Sequence, residues 1–599
     1  MAFSNADAAA GFDEIADLLE VRGGHAFRAR TYRNAARVLG GLGREVGDML
    51  ATGEPLEALP GIGADLAGKI AEIAATGTCE LLAQLRREID PGVRELLRLP
   101  AVGPRRAQLL YRELGVKSLE QLRMAAEDGR VRKLRGFSIA LERRLLQAVK
   151  ASLKRDRRHP LATVLPVAQA LADELGRVPG VRRVLAAGSV RRMRETVGDL
   201  DLLVEAPPGT GVMEHFALSP QVTEVLARGS TRSSVLLAGG LQVDLRVVRP
   251  ASFGSASLYF TGSKAHNIAL RRLALDAGLK LNEYGLDRGK RRIAGATEES
   301  VYAALGLAYI EPELREDRGE IEAARSGRLP SLVRLADLRG DLHVRTRGSD
   351  GTQTLREMAL AARRHGLAYV AIADRSKRPG MASGLDAERL ARQIDEIDAL
   401  GETLDGVTLL KGVEVDILED GSLDMPDAIL RRLDLVVGSV HQGFALSRAK
   451  QTARLQRAMD HPYFSILGHA TGRLIGKRDP IDLDIEAVIH HAKARGSFIE
   501  LDAQPLRLDI DDRACRIAKQ EGVLVSIASD AHGPHDFDFL RLGIGQARRG
   551  WLEPADILNT RPIEEVRALL ARTMGRFAPS SKEKTPWTAS SSSAIRTPA

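Results

Sequence analysis

Cysteine is almost absent: the 599 residues hold two, Cys79 and Cys515, far apart in the chain. That excludes a disulfide-stapled scaffold and a cysteine-built zinc site, and it fits a reducing cytoplasm. Long apolar runs are missing too, none reaching the ~18 residues that a membrane-spanning helix requires, so no membrane partner is expected. The opening residues, MAFSNADAAAGFDEIADLLE, are acidic and amphipathic, unlike a secretory leader. There is no large excess of one charge. Lys+Arg number 87 against 79 Asp+Glu, a net charge of +8 and a pI near 9.5. So mild a basic balance agrees with a nucleic-acid partner without demanding one. What the chain does have is length and apolar content. Its 44% of hydrophobic residues supply ordinary cores, and ~150 residues per domain predicts about four domains.

The most informative stretch is AAGSVRRMRETVGDLDLLVEA, residues 186–206, followed later by LQVDLRVV, residues 241–248. LDLLV reads as a short strand, so Asp199 and Asp201 share one face and Leu200 takes the other. In VDLRVV the same alternation puts Asp244 and Arg246 together. If the two strands are neighbours, three carboxylates meet, which is costly unless a cation neutralises them. All-oxygen ligation suits Mg²⁺ or Mn²⁺ held together with substrate phosphates. Two such ions can activate a 3′-hydroxyl and stabilise a leaving pyrophosphate. Gly188-Ser189, at a turn before a helix-compatible stretch, offers amides to an anion. Arg191 or Arg192 can add a bidentate grip on phosphate. A lone Asp-x-Asp is most often a solvated turn; the upstream turn and downstream strand reverse that reading.

GSVRRMRETVGDLDLLV resembles the nucleotidyltransferase signature of family X DNA polymerases. A second block, LYFTGSKAHNIALR at 258–271 running into GLKLNEYGL, resembles the nucleotide-binding segment of the same family, in the same order and spacing. The resemblance implies that Asp199, Asp201 and Asp244 are the metal-binding catalytic triad, with Asp244 best placed to take the primer 3′-hydroxyl proton. It implies that Gly188, Ser189, Arg192 and Gly198 hold the triphosphate. Tyr259, Phe260 and Gly262 then lie against the incoming sugar, and Asn267 and Arg271 reach the minor-groove edge of the base pair. Gln242 departs from the arginine common in vertebrate members, a change that weakens primer alignment but removes no metal ligand.

The first 150 residues read as helical, punctuated by glycine turns at Leu59-Pro-Gly-Ile-Gly63, Leu99-Pro-Ala-Val-Gly103 and Leu134-Arg-Gly-Phe-Ser138. The first two resemble helix-hairpin-helix elements. In these, Gly61, Gly63 and Gly103 let the turn approach DNA closely, amides at the next helix start bind a backbone phosphate, and Arg105 follows. Such contacts position a duplex without reading its sequence. Lys69, in GIGADLAGKIAEI, matches the register of a family lysine that forms a Schiff base with an abasic-site sugar. Tyr32 matches a tyrosine near that pocket. That lyase chemistry needs a desolvated lysine of depressed pKa, and Asp65 stands where some relatives place a further lysine.

A basic stretch at 154–160 leads into the expected palm and thumb, 151–315, and a linker is expected over 316–338. From 339 to 576 short strands alternate with helices, predicting a separate α/β barrel. Candidate ligands end its apolar runs: His343, Asp350, Glu414, His441, His469, Asp530 and His532. Barrel active sites gather at such strand ends. The segment resembles the PHP domain of bacterial PolX proteins, which binds up to three metal ions and can act as a 3′-5′ exonuclease. Here the family's His-x-His is His343-Val344-Arg345, and its Asp-His is Asp374-Arg375. Arginine donates only and cannot ligate a metal. Glu414, His441 and His469 could still form a partial site for Mn²⁺ or Zn²⁺. Alternatively, the two guanidiniums replace missing cations and pair with Asp350, Glu414 and Asp530. The impaired nuclease is the favoured reading. The Ser/Thr/Pro-rich tail, 577–599, is expected to be disordered.

The expected fold is therefore multidomain α and α/β: a helix-hairpin-helix region at 1–150 with its lyase-like part near 1–85, a nucleotidyltransferase palm and thumb, and a PHP-type barrel. The expected function is template-directed, two-metal gap filling in DNA repair. Gapped or nicked duplex DNA and dNTPs are the expected partners of a cytoplasmic, nucleoid-associated monomer. A phosphoesterase merely delivered to DNA by the N-terminal half is weakened by the two missing histidines. A non-catalytic repair scaffold is weakened by the intact Asp199, Asp201, Asp244 and Arg192.

Overall fold

The computed structural model describes residues 5–575 except 24–25, 41–45, 52–53, 60, 77, 98, 100–101, 157, 208 and 378–383. The expected tail at 577–599 lies outside the described residues. The chain is mixed α and α/β, as expected.

Residues 8–149 bury their apolar side chains in a cluster of their own, in which Phe12, Ile15, Leu18, Leu85 and Leu110 are wholly buried. Gly61 and Gly63 precede the Ala64–Thr76 helix, and Gly103 caps the Pro104–Leu114 helix. In the third turn Gly136 takes a positive φ of 88°. Ser138, standing where a second glycine was expected, accepts a hydrogen bond from the Leu141 amide at the start of the Ile139–Asp156 helix.

The next unit is a five-stranded mixed sheet in the order Arg183–Ala186, Asp199–Glu205, Gln242–Val248, Arg232–Leu237, Val222–Arg228. Leu161, Val164, Ala168, Leu171 and Leu175 repeat with helical period along Leu161–Gly176. They pack with Leu200, Leu202, Val204, Val243 and Leu245 of the sheet. Two barrel residues, Leu508 and Leu542, enter this same cluster. A small antiparallel sheet, Lys280–Asn282, Gly285–Arg288 and Arg291–Ala294, follows.

The 316–338 segment is no loose tether. Ile321, Ala324 and Leu332 pack with the thumb residues, and Val333 and Leu338 with the barrel. The fully buried Glu320 faces His266 Nδ1 at 2.6 Å.

The barrel strands are all parallel: Gly340–Val344, Tyr369–Ile372, Thr408–Lys411, Glu414–Asp416, Val437–Ser439, Ile466–Leu467, Phe498–Asp502 and Val525–Ala528. Bridges Arg375↔Glu414 and Val344↔Ala531 join the two sheet segments into a ring. Alternation decides what faces where. Ile499 and Leu501 pack outward with the helices, whereas Phe498 joins an inner cluster with Leu342, Tyr369, Ala371 and Val437. Leu558, Val566 and Leu570 fill the base of that inner cluster.

Candidate active site

The palm carboxylates lie on neighbouring strands, as strand geometry predicted. The Asp199–Glu205 strand pairs in parallel with Gln242–Val248, in a register that sets Asp201 opposite Asp244 and Asp199 opposite Gln242. Asp199, Asp201 and Leu203 share a face. Leu203 is covered by Phe253 and Ala256, and the acidic end lies beyond that cover. Asp244 accepts a hydrogen bond from Ser234 Oγ, and Gln242 Nε2 donates to both its carboxylate oxygens at 3.4 Å. Gln242, the departure from the family's arginine, is thus a neutral donor to Asp244.

Burial, then the charges of Asp199 and Asp244, raise Asp201 to about 7. A carboxyl whose pKa is raised by burial and by two neighbouring carboxylates is relieved by a cation. The donors are all oxygen, which fits a hard divalent ion. The residues present therefore fit the divalent metal that the resemblance implies.

Gly188 cannot be replaced freely. Its φ is 62°, and a Cβ there would fall 2.8 Å from Asp201 Oδ2. The structure also separates the two arginines that the sequence left open. Arg191 is committed to Glu298 through two bonds of 2.8 and 2.6 Å, and the wholly buried Arg315 donates to the same carboxylate at 2.6 Å. Burial alone would raise Glu298, but Arg315 and Arg191 hold it down to about 2. Arg192 instead lies along the site: Nε donates to Glu316 at 3.0 Å and Nη1 donates to the Thr261 carbonyl. A Cβ on Gly262 would lie 3.2 Å from Arg192 Nη1.

The second block sits alongside. Tyr259 and Phe260 end the Phe253–Thr261 helix with ring centroids 5.0 Å apart, edge to face. Arg246 lies over Phe260 at 4.4 Å and Arg271 over Tyr259 at 5.5 Å. Asn267 Nδ2 donates to the Tyr259 carbonyl at 2.7 Å, while its Oδ1 is buried with no partner among the described residues. The structure thus brings Gly188, Ser189, Arg192, Gly198, Tyr259, Phe260, Gly262, Asn267 and Arg271 around one end of the sheet that carries Asp199, Asp201 and Asp244.

In the helical region, a Cβ built on Gly61, Gly63 or Gly103 meets nothing within 4 Å, so these turns face open space. Arg105 is exposed beside Gly103. Pro60, Pro100 and Ala101 of the two turn motifs lie outside the described residues. Lys69 ion-pairs with Asp65 one helical turn away. Burial works to lower its pKa, but Asp65 and then Tyr32 outweigh it, and the ammonium is held above its ordinary range. That is opposite to the direction a Schiff-base nucleophile needs, so lyase chemistry at Lys69 requires Asp65 to be drawn away first.

The barrel gathers a second site, where His343, Asp350, Glu414, His441, His469, Asp530 and His532 converge. Two guanidiniums sit among them. Arg345 donates from Nη2 to Glu414 and from Nε to Asp530, both at 2.8 Å, with Asp350 at 3.4 Å. Arg375 donates to Glu414 at 3.1 Å and to His441 Nε2. Burial would raise Glu414, but Arg345 and Arg375 hold it well below the usual carboxylate range. Burial opposes charge on His343, yet Glu500, Asp530 and Glu414 carry it up to about 9. Its Nδ1 lies 2.8 Å from Glu500. The pairing of both arginines with Asp350, Glu414 and Asp530 is the alternative that the sequence left open. Glu414, His441 and His469 nonetheless keep ligand atoms within 4.8 Å of one another.

Sequence reasoning missed Glu500, which also accepts from the His469 amide at 3.0 Å, and its strand neighbour Asp502, raised well above the carboxylate range by burial and then by Asp530 and Glu500. The signal was available: FIELD alternates acidic residues along a strand just as GDLDL at 198–202 does. It also missed Glu316, which it placed in the linker, and Arg549, which no local pattern marks.

Residues 256–316 match the DNA polymerase beta thumb, residues 3–79 a helix-hairpin-helix domain, and residues 93–151 a SAM-like helix-hairpin-helix tandem. A DNA polymerase/3′-5′ exonuclease PolX of Bacillus subtilis is 36% identical over 564 residues, covering 94% of this chain and 98% of that one. A "probable phosphatase" of Thermoanaerobacter is 31% identical over 232 residues, 37% of this chain and 89% of its own. DNA polymerase lambda of Rattus norvegicus is 28% identical over 291 residues, 43% of this chain and 48% of its own. With a paired carboxylate strand in the palm, hairpin turns before it and a barrel behind it, the chain belongs to the bacterial PolX branch of the family X DNA polymerases.

Proposed function

We propose that this chain is a template-directed DNA polymerase that adds dNTPs to a primer 3′-hydroxyl and fills short gaps in duplex DNA during repair. The observation that carries the reading is the register that sets Asp201 opposite Asp244, with Asp199 on the same face beside the Gly188 turn. Asp199, Asp201 and Asp244 would hold two Mg²⁺ or Mn²⁺ ions. Such ions, when bound, acidify the attacking hydroxyl and neutralise charge on the departing pyrophosphate.

The chain's own groups do the rest. Asp244, steadied by Ser234 and Gln242, takes the primer hydroxyl proton. The Gly188 and Ser189 amides, Arg192 and Gly198 hold the triphosphate. Tyr259, Phe260 and Gly262 lie against the sugar and disfavour a 2′-hydroxyl, and Asn267 and Arg271 reach the base-pair edge. Gly61, Gly63, Gly103 and Arg105 bind backbone phosphates on either side of a gap, which positions the duplex without selecting sequence. The chain acts as a cytoplasmic monomer on nucleoid DNA.

In the barrel, Arg345 and Arg375 stand in for cations and the 3′-5′ exonuclease is impaired. A second reading, a single Mn²⁺ or Zn²⁺ on Glu414, His441 and His469, is favoured by their 4.8 Å grouping. The polymerase assignment is tested on a one-nucleotide gapped duplex with dNTPs and Mn²⁺, wild type beside Asp201→Ala. Extension by wild type alone is expected. Absent extension, or equal extension by both, overturns it.

A further inference from the structure

The barrel's Leu540–Arg549 helix lies against the palm segment that carries Arg192. Gln546 Nε2 donates to the Met193 carbonyl at 2.7 Å, and Arg549 Nη1 donates to the Arg192 carbonyl at 2.8 Å. Gly545 makes the approach possible, since a Cβ there would meet Met193 Cε at 2.4 Å. Met193 itself has a φ of 52°, a region that costs a side-chain-bearing residue about 1–2 kcal/mol. Two barrel side chains therefore grip a palm backbone held in an unfavoured conformation.

The same Arg549 reaches the partner of Arg192. Its Nη1 lies 2.9 Å from Glu316 Oε1, the oxygen that Arg192 Nε contacts at 3.0 Å, and its Nη2 donates to Asp512 at 2.7 Å. Arg194 Nη1 stands 3.9 Å from the other Glu316 oxygen. The Arg549 side chain is 2% exposed, and Glu316 is 12% exposed. A carboxylate this buried is costly to strip of its only cation. Glu316 has more than one.

We propose that Arg549 is a positioning residue for nucleotide binding: it fixes the Arg192 backbone and keeps Glu316 neutralised, so that the Arg192 guanidinium can exchange Glu316 for the triphosphate. The proposal rests on the reading that Arg192 grips the triphosphate. Arg192 is held near the site while the nucleotide is absent, and its release leaves no bare carboxylate behind. The barrel thereby serves the palm through one helix, whether or not its own site cuts DNA.

The test is gap filling by the full chain on a one-nucleotide gapped duplex with Mg²⁺, varying the single complementary dNTP. Arg549→Met is expected to raise KM for the dNTP by about 10- to 100-fold, the scale of a lost hydrogen bond to a charged group, with kcat changing far less. Arg549→Lys recovers part of the effect. Glu316→Gln alone lowers KM, because Arg192 is no longer held back, and adding Glu316→Gln to Arg549→Met restores KM toward wild type. Arg548→Ala, on the same helix but bonded to Glu313 at 2.7 Å, leaves KM unchanged. An unchanged KM in Arg549→Met, or a Glu316→Gln chain with raised KM, overturns the proposal; the second holds even if Arg549→Met fails to fold. If Arg192→Ala itself leaves KM unaltered, the triphosphate reading has failed instead.

Discussion

Replacing Arg345 and Arg375 together by histidine should return metal binding to the barrel. Both guanidiniums contact Glu414, at 2.8 and 3.1 Å. An ion seated on that carboxylate would lie about 4 Å from each. At an effective dielectric near 20, a unit charge at about 4 Å from a divalent ion costs about 8 kcal/mol. That is roughly six powers of ten in affinity, and half of it is still about three. Histidine removes the fixed charge and offers a nitrogen lone pair at both positions. The assay is calorimetric titration with Mn²⁺ in an Asp199→Ala/Asp201→Ala/Asp244→Ala background, so that heat reports the barrel alone. The chain with both arginines should show no site tighter than millimolar, and Arg345→His/Arg375→His should bind in the micromolar range and begin to shorten a 3′ end. Micromolar binding with both arginines in place, abolished by Glu414→Gln, would refute the electrostatic argument.

Three further outcomes are expected. Gly188→Ala should cut gap filling by about 100-fold or more by pushing the Asp201 carboxylate out of place, with the circular dichroism spectrum unchanged; undiminished extension would contradict the packing. Because Asp201 holds its proton up to about 7, a divalent ion must displace that proton below this value. Mn²⁺ affinity at the palm should therefore rise about tenfold per unit from pH 5 to 7 and level off above, and a flat profile would count against it. Asp65→Asn removes the partner that holds the Lys69 ammonium, so the lysine pKa should fall and borohydride trapping of an abasic-site DNA should increase; equal trapping by both chains removes the lyase reading.

The palm was legible because its signal is local. Strand alternation in GDLDL and VDLRVV fixes which carboxylates share a face, and the observed register sets Asp201 opposite Asp244. The glycine turns and the strand-ending histidines were legible for the same reason. Sequence also showed that Arg345 and Arg375 could not be ligands, and listed the carboxylates they go on to pair with. The residue pattern alone left Arg191 and Arg192 open, and only the family resemblance named Arg192, because the choice depends on Glu298 and Glu316, more than a hundred residues away. Nor could it see that the 316–338 segment is packed, since an apolar residue every few positions in a short stretch also describes a linker. Pairings such as Arg549 with Glu316 leave no periodic trace, because they join segments that only the finished fold makes neighbours.

Leu508 and Leu542 belong to the barrel by sequence but complete the core beneath the palm sheet. A chain without the barrel would expose that core to water, so the palm depends on the barrel for its own stability whether or not the barrel cuts DNA. Point changes at the barrel's strand ends carry no such penalty, provided buried charge stays balanced. The strand ends of the barrel can therefore change their chemistry while the fold around them stays tied to its neighbour through two leucines.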